Sequence, residues 1–154
     1  MLFRSTRAYL DTSVYNRLFD DQTQPKIFLE TQAIVLILQM VESDLIELVN
    51  SSVLEYENSK NPFPIKQQAM TRYLEMAGIR KNVDNEIRQR AEQLEQDGLK
   101  AIDALHVACA ESTNSGYFVT CDKRLINRYQ GNLIRVLNPV DFILEEVSDD
   151  SSDK

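Results

Sequence analysis

Four short apolar runs, at residues 7–10, 45–49, 116–120 and 133–137, are separated by stretches with helical periodicity. Near-continuous apolar strands alternating with helices limit the chain to one broad class. They predict an α/β fold: a central parallel sheet of four or five strands with helices on both faces and right-handed crossovers. The chain has 154 residues, enough for one domain with a core of its own. We expect that domain to occupy residues 1–147. Residues 148–154 are polar and acidic and read as a disordered tail.

The first run ends on an acid, in Ala8-Tyr9-Leu10-Asp11-Thr12-Ser13. Ligands in open α/β sheets bind beyond the carboxyl ends of the strands, so Asp11 stands where a site would be. Ser13 is the expected cap of the helix that follows. The third run exits through Val119-Thr120-Cys121-Asp122, and parallel strands bring Asp122 to the same edge as Asp11. Asp103 sits in a helical stretch, 100–111, among Ile102, Ala104 and Leu105, where a charge is costly unless paired or bound to a metal. His106 lies three residues on and shares its face.

Beyond the second run come Glu55 and Glu57, about 200° apart on a helix. Ser52-Val53-Leu54-Glu55 matches a capping box. That gives Glu55 a structural task and leaves Glu57 as the candidate site acid, with Glu55 as the alternative. Further helices are expected at 26–42, 65–76, 83–97, 122–129 and 140–146. Asn61-Pro62-Phe63-Pro64 breaks one helix, and Gly98 terminates another.

Each acid also has an ordinary use. Asp11 suits a turn, Asp122 a helix cap, and Asp103 an ion pair with Lys100 three residues earlier. His106 suits a packed, hydrogen-bonded position. Arg17, Lys60, Lys100, Lys123 and Arg124 are the cations nearest the motifs, and any one of them alone suits solvated surface.

The net charge of −7 argues against a large nonspecific DNA-binding surface. Five acids against Lys154 in residues 145–154 contribute −4 of it, leaving −3 for the rest. The two cysteines, Cys109 and Cys121, form no Cys-x-x-Cys pair and are expected as free thiols. Neither a membrane span nor a signal peptide is apparent, so a cytoplasmic location is expected. A set of carboxylates without Cys selects hard cations, Mg²⁺ or Mn²⁺. Two such ions can activate water and stabilise the leaving oxygen in phosphodiester cleavage.

Four segments in order resemble the PIN domain family: Leu10-Asp11-Thr12-Ser13, Ser51-Ser52-Val53-Leu54-Glu55-Tyr56-Glu57, Asp103-Ala104-Leu105-His106-Val107-Ala108 and Thr120-Cys121-Asp122-Lys123-Arg124-Leu125. The resemblance implies a Mg²⁺ or Mn²⁺ site that cuts single-stranded RNA. Its acids would be Asp11, Glu57, Asp103 and Asp122, with Ser13 and Thr120 as supporting hydroxyls. Many small bacterial members are VapC-type toxins, which implies an antitoxin protein as partner; a homodimer is also plausible on this resemblance. The alternatives are a catalytically degenerate PIN fold that binds RNA or protein, and a phosphatase on another α/β fold. The last lacks the second acid of an Asp-x-Asp pattern, and nucleotide-cofactor roles lack a Gly-rich phosphate loop.

Overall fold

The computed structural model describes the backbone of residues 6–152 and the side chains of residues 6–146. The chain alternates strand and helix. It runs β1 (Thr6–Leu10), α1 (Thr12–Arg17), α2 (Pro25–Glu42), β2 (Ile46–Ser51), α3 (Ser52–Ser59) and α4 (Pro64–Leu74). It continues through β3 (Ile79–Lys81), α5 (Asn85–Gln96), α6 (Ala101–Ser112), β4 (Tyr117–Val119), α7 (Lys123–Arg128), β5 (Arg135–Leu137) and α8 (Pro139–Ser152). The strands form one five-stranded sheet in the order β3-β2-β1-β4-β5, and every neighbouring pair is parallel.

That order has a direction change in it. From β1 the chain steps outward to β2 and β3, then returns to lay β4 on the other side of β1 and β5 beyond it. Right-handed crossovers going opposite ways put their helices on opposite faces. A crevice therefore opens beyond the carboxyl ends of β1 and β4, the place where open α/β sheets hold ligands. Register fixes the two exits side by side, with Leu10 opposite Val119. The backbone N–H of Asp11 donates to the Val119 carbonyl at 3.1 Å.

The sheet is the floor of the core. Ala8, Tyr9, Leu10, Leu48, Val49, Phe118 and Val119 are buried. The Tyr9 and Phe118 rings stack across β1 and β4 with centroids 5.3 Å apart. α2 packs on α8, and α5 on α6. Cys109 and Cys121 are buried free thiols, and burial pushes them up to about 12 and about 11, so both stay protonated. Among the described residues no helix is long and apolar enough to cross a membrane.

β3 has no counterpart in the sequence reading. Three residues between two helices carry no alternation for a pattern to register, and Ile79–Lys81 becomes a strand by pairing with Val49–Ser51. The last helix runs on to Ser152, beyond the expected end at 146. The expected tail at 148–154 lies outside the described side chains, and 153–154 lie outside the described backbone.

Gly98 ends α5 as the sequence implies. It adopts φ +110°, its N–H donates to Glu95 O at 3.0 Å, and the Leu99 N–H reaches back to Leu94 O at 3.1 Å. This double closure needs a residue that accepts positive φ. Nothing stands within 4 Å of an added Cβ there, so Gly98→Ala tests backbone conformation alone. We expect a loss of about 1 kcal/mol, read as a fall in Tm of about 2–4 °C.

Candidate functional site

β1 delivers Asp11 to the crevice. Asp11 is 4% exposed and is itself the cap of α1, accepting from the Val14 N–H. The cap is therefore Asp11 and not Ser13, because the helix begins two residues earlier than expected. Ser13 faces back: its hydroxyl donates to Asp11 Oδ1 at 2.5 Å and accepts from the Cys121 N–H at 3.0 Å. Ser13 thus ties the β1 exit to the β4 exit. Burial raises the Asp11 carboxyl above the ordinary range against the opposing hydrogen bonds of Ser13 and Thr120.

β4 delivers Asp122. Its carboxylate caps α7 by accepting from the Arg124 N–H at 2.9 Å, and its own N–H donates to Thr120 Oγ1 at 3.0 Å. Asp122 thus does the capping work its sequence context suggests, and Asp11 does the capping expected of Ser13. A cap uses one carboxylate oxygen and leaves lone pairs for a second partner.

α3 delivers Glu57. Its cap is Ser51, whose Oγ accepts from the Leu54 N–H. The expected capping box beginning at Ser52 does not form, since Glu55 then falls one position too late to fold back. Glu55 instead takes a fork from Arg80 at 2.6 and 2.9 Å and a bond from Asn50 at 2.8 Å. The Arg80 hydrogen bonds hold its carboxyl below the usual range. Glu57 turns the other way, to His106 Nε2 at 2.5 Å and to the Thr12 hydroxyl. Burial would raise its carboxyl, but the hydrogen bond and charge of His106, with Thr12, outweigh burial and hold it low.

His106 is the packed, bonded histidine of the plainer expectation. Its Nδ1 meets the Tyr9 hydroxyl at 2.6 Å, and that hydroxyl lies 2.7 Å from Ser51 Oγ. An ionised carboxylate only accepts, so Nε2 carries the proton toward Glu57. In the neutral ring Nδ1 then accepts from Tyr9. Tyr9, lying in an apolar strand, gave no sign in the sequence of a role beside the site. Burial raises its hydroxyl well above the ordinary value and keeps it a donor.

α6 delivers Asp103, half-buried. Among the described residues it has no hydrogen bond and no ion pair, and the bond to Lys100 does not form. Burial pushes its carboxyl up to about 6, and the charges of Asp11, Asp122 and Glu57 push the same way, with His106 opposing. The four acids come from four separate parts of the chain, and the charges of Asp11, Asp122 and Glu57 all reach Asp103. Their chemistry, oxygen donors with no thiol, suits a hard divalent ion. As the side chains stand, no group of three His, Cys, Asp or Glu among the described residues is close enough to hold one. Ligation would require the carboxylates to draw together. Of the cations the sequence put near the motifs, Arg17 is engaged by Asp20 at 3.0 Å and by buried Glu30 at 3.2 Å.

A family model for the PIN domain matches residues 8–131, most of the chain and the span within which the four acids lie. No curated protein matches the sequence. The fold is similar to that of VapBC2 from Rickettsia felis, solved bound to a DNA fragment from their promoter, at 16% identity and TM-score 0.55 over 86% of this chain and 98% of that one. It is likewise similar to PAE2754 from Pyrobaculum aerophilum, at 15% identity and TM-score 0.56 over 94% of this chain and 90% of that one. At such identities the likeness is one of fold. With the family match over residues 8–131, it leads to one assignment: the chain belongs to the PIN domain family.

Proposed function

We propose that this chain is a Mg²⁺- or Mn²⁺-dependent endoribonuclease that cleaves single-stranded RNA, with Asp11, Glu57, Asp103 and Asp122 as its site acids. PIN domains are generally nucleases. The observation that carries the finer reading is Asp103: among the described residues its carboxyl has no partner, and burial, then the charges of three other acids, raise it to about 6. A carboxyl so placed is a functional-site candidate, and a bound cation would relieve both the burial cost and the repulsion. A divalent ion bound among these acids would neutralise phosphate charge and act as a Lewis acid toward an attacking water. The chain's own groups supply orientation. Ser13 fixes Asp11, Thr120 fixes the turn carrying Asp122, and His106 with Thr12 fixes Glu57.

We read the chain further as the toxin of a VapBC-type pair, with a small antitoxin as partner, acting in the cytoplasm. The likeness of fold to VapBC2 supports this. A short regulator-like reading frame directly upstream of the gene is the observation to seek. The outer face of α2, where Phe28, Leu29, Val35 and Leu36 are exposed, supports the homodimer, to be checked by sedimentation.

The primary test is purified protein with several single-stranded RNAs and Mn²⁺, beside a calorimetric Mn²⁺ titration. Cleavage with metal-binding heat supports the enzyme. RNA left intact with no heat leaves the degenerate binding module. The two glutamates separate cleanly in the same assay. Glu57→Gln is expected to lower cleavage at least tenfold, the scale on which ligand and supporting groups act. Glu55→Gln is expected to stay within about twofold, because its partners are Arg80 and Asn50, and to cost less than about 1 kcal/mol as an exposed pair.

A further inference from the structure

Asn61-Pro62-Phe63-Pro64 breaks the chain between α3 and α4, and nothing in the site explains what it presents. A groove of about 590 Å³ starts there and runs to the candidate site, lined by Thr12, Tyr56, Glu57, Lys60, Phe63 and Lys66 among others. Tyr56 is 58% exposed and Phe63 57%. Rings that large are normally covered, and exposed apolar surface next to a site marks binding. Phe63 is also held rigidly. Proline stands on each side of it, and its N–H donates to Asn61 Oδ1 at 3.0 Å.

Cations stand on these rings. Lys60 Nζ lies 5.3 Å from the centre of the Tyr56 ring, and Lys66 Nζ lies 4.6 Å from that of Phe63. Among the described residues neither lysine is in an ion pair. The acids nearby are engaged: Glu57 by His106 and Thr12, and Asp20 by Arg17. In a chain of net charge −7, two unpaired cations over two exposed rings are a local exception.

From this geometry we infer that the α3–α4 corner is a stacking platform for single-stranded RNA: Phe63 and Tyr56 take unpaired bases, and Lys66 and Lys60 take the phosphates between them. Aromatic faces with interleaved cations are how single strands are held without base-specific contacts. The groove leads from the platform to Glu57, so a strand anchored here reaches that edge of the candidate site. The inference rests on RNA being the substrate but not on its being cut.

The test is binding of a fluorescein-labelled, mixed-sequence RNA of about 12 nucleotides to the full chain in EDTA, followed by anisotropy. Phe63→Leu keeps an apolar side chain and removes the ring; it should weaken binding about tenfold. Lys66→Gln should lower the slope of log affinity against log salt by about 0.7. The chain has no tryptophan, so Phe63→Trp provides a single reporter whose emission RNA should quench. Unchanged affinity in Phe63→Leu, or no RNA binding by the parent chain, overturns the platform. Indole emission from Phe63→Trp that ignores RNA but shifts with protein concentration also overturns it and gives this corner to a protein contact. Cleavage on adding Mn²⁺ is scored separately: binding that needs Phe63 without cleavage removes only the nuclease, and cleavage indifferent to Phe63 removes only the platform.

Discussion

Asp11→Asn is expected to reduce Mn²⁺-dependent RNA cleavage by about 10³-fold or more, while the protein melts within about 1 kcal/mol of the parent. The two halves of that expectation come from different atoms of one side chain. Most of the structural work of Asp11 is done by Oδ1, which accepts from Val14 N–H and Ser13 Oγ, with Thr120 as a further partner of the carboxyl. Asn retains such an oxygen and caps helices as well as Asp does. The lost part is a negative charge at a buried strand end, where burial already makes ionisation costly and an amide is easier to accommodate. Losing an anionic ligand at a metal-assisted centre removes several kcal/mol of transition-state stabilisation, and about 4 kcal/mol is 10³-fold in rate. Asp11→Ala is the control, since it should fail in both assays, adding about 1 kcal/mol for the lost cap. Full cleavage by Asp11→Asn would leave Asp11 as a helix cap and nothing more.

Four of the five strands were readable because their runs are nearly continuously apolar, and that pattern needs no knowledge of neighbours. Asp11 and Asp122 were readable because a strand end is a place in the sequence as well as in space. Glu57 came from an argument whose premise was wrong. The helix caps at Ser51, so Glu55 is held by Arg80 and not by the cap, and Glu57 turns instead toward His106 because two residues along a helix must point apart. Arg80 belongs to β3, a three-residue strand that exists through pairing with β2; an element defined by its partner leaves no local trace. Tyr9 and Phe63 were hidden for opposite reasons. One looks like core and carries a hydroxyl into the Glu57 network, and the other looks like a helix breaker and stands in the open.

Asp103→Asn should do what few substitutions do: stabilise the metal-free protein at neutral pH while removing its response to metal. The folded-state pKa of Asp103 is about 6 against an ordinary 3.8, so between those values the folded protein holds a proton that the unfolded chain has released. Stability contributed by this group therefore falls as pH rises from about 4 to about 6, and the full penalty is present above that. Asn never ionises and never meets the penalty. The shift would convert to about 3 kcal/mol if the group were sealed, but Asp103 is only half-buried and solvent screening reduces this to about 1 kcal/mol. We expect Asp103→Asn to melt about 2–4 °C above the parent at pH 7.5 in EDTA, with the gap closing toward pH 4. Mn²⁺ should reverse the ranking, because an ion that binds only the folded parent at a hundred times its Kd adds about 2.7 kcal/mol, whereas the variant lacks an acid whose repulsion the ion relieves. Thermal melts at the two pH values, each with EDTA and with Mn²⁺, give four numbers per protein. A variant that melts lower than the parent in EDTA at pH 7.5 would mean that Asp103 is supported by the fold, and one that gains as much from Mn²⁺ as the parent would place the metal elsewhere.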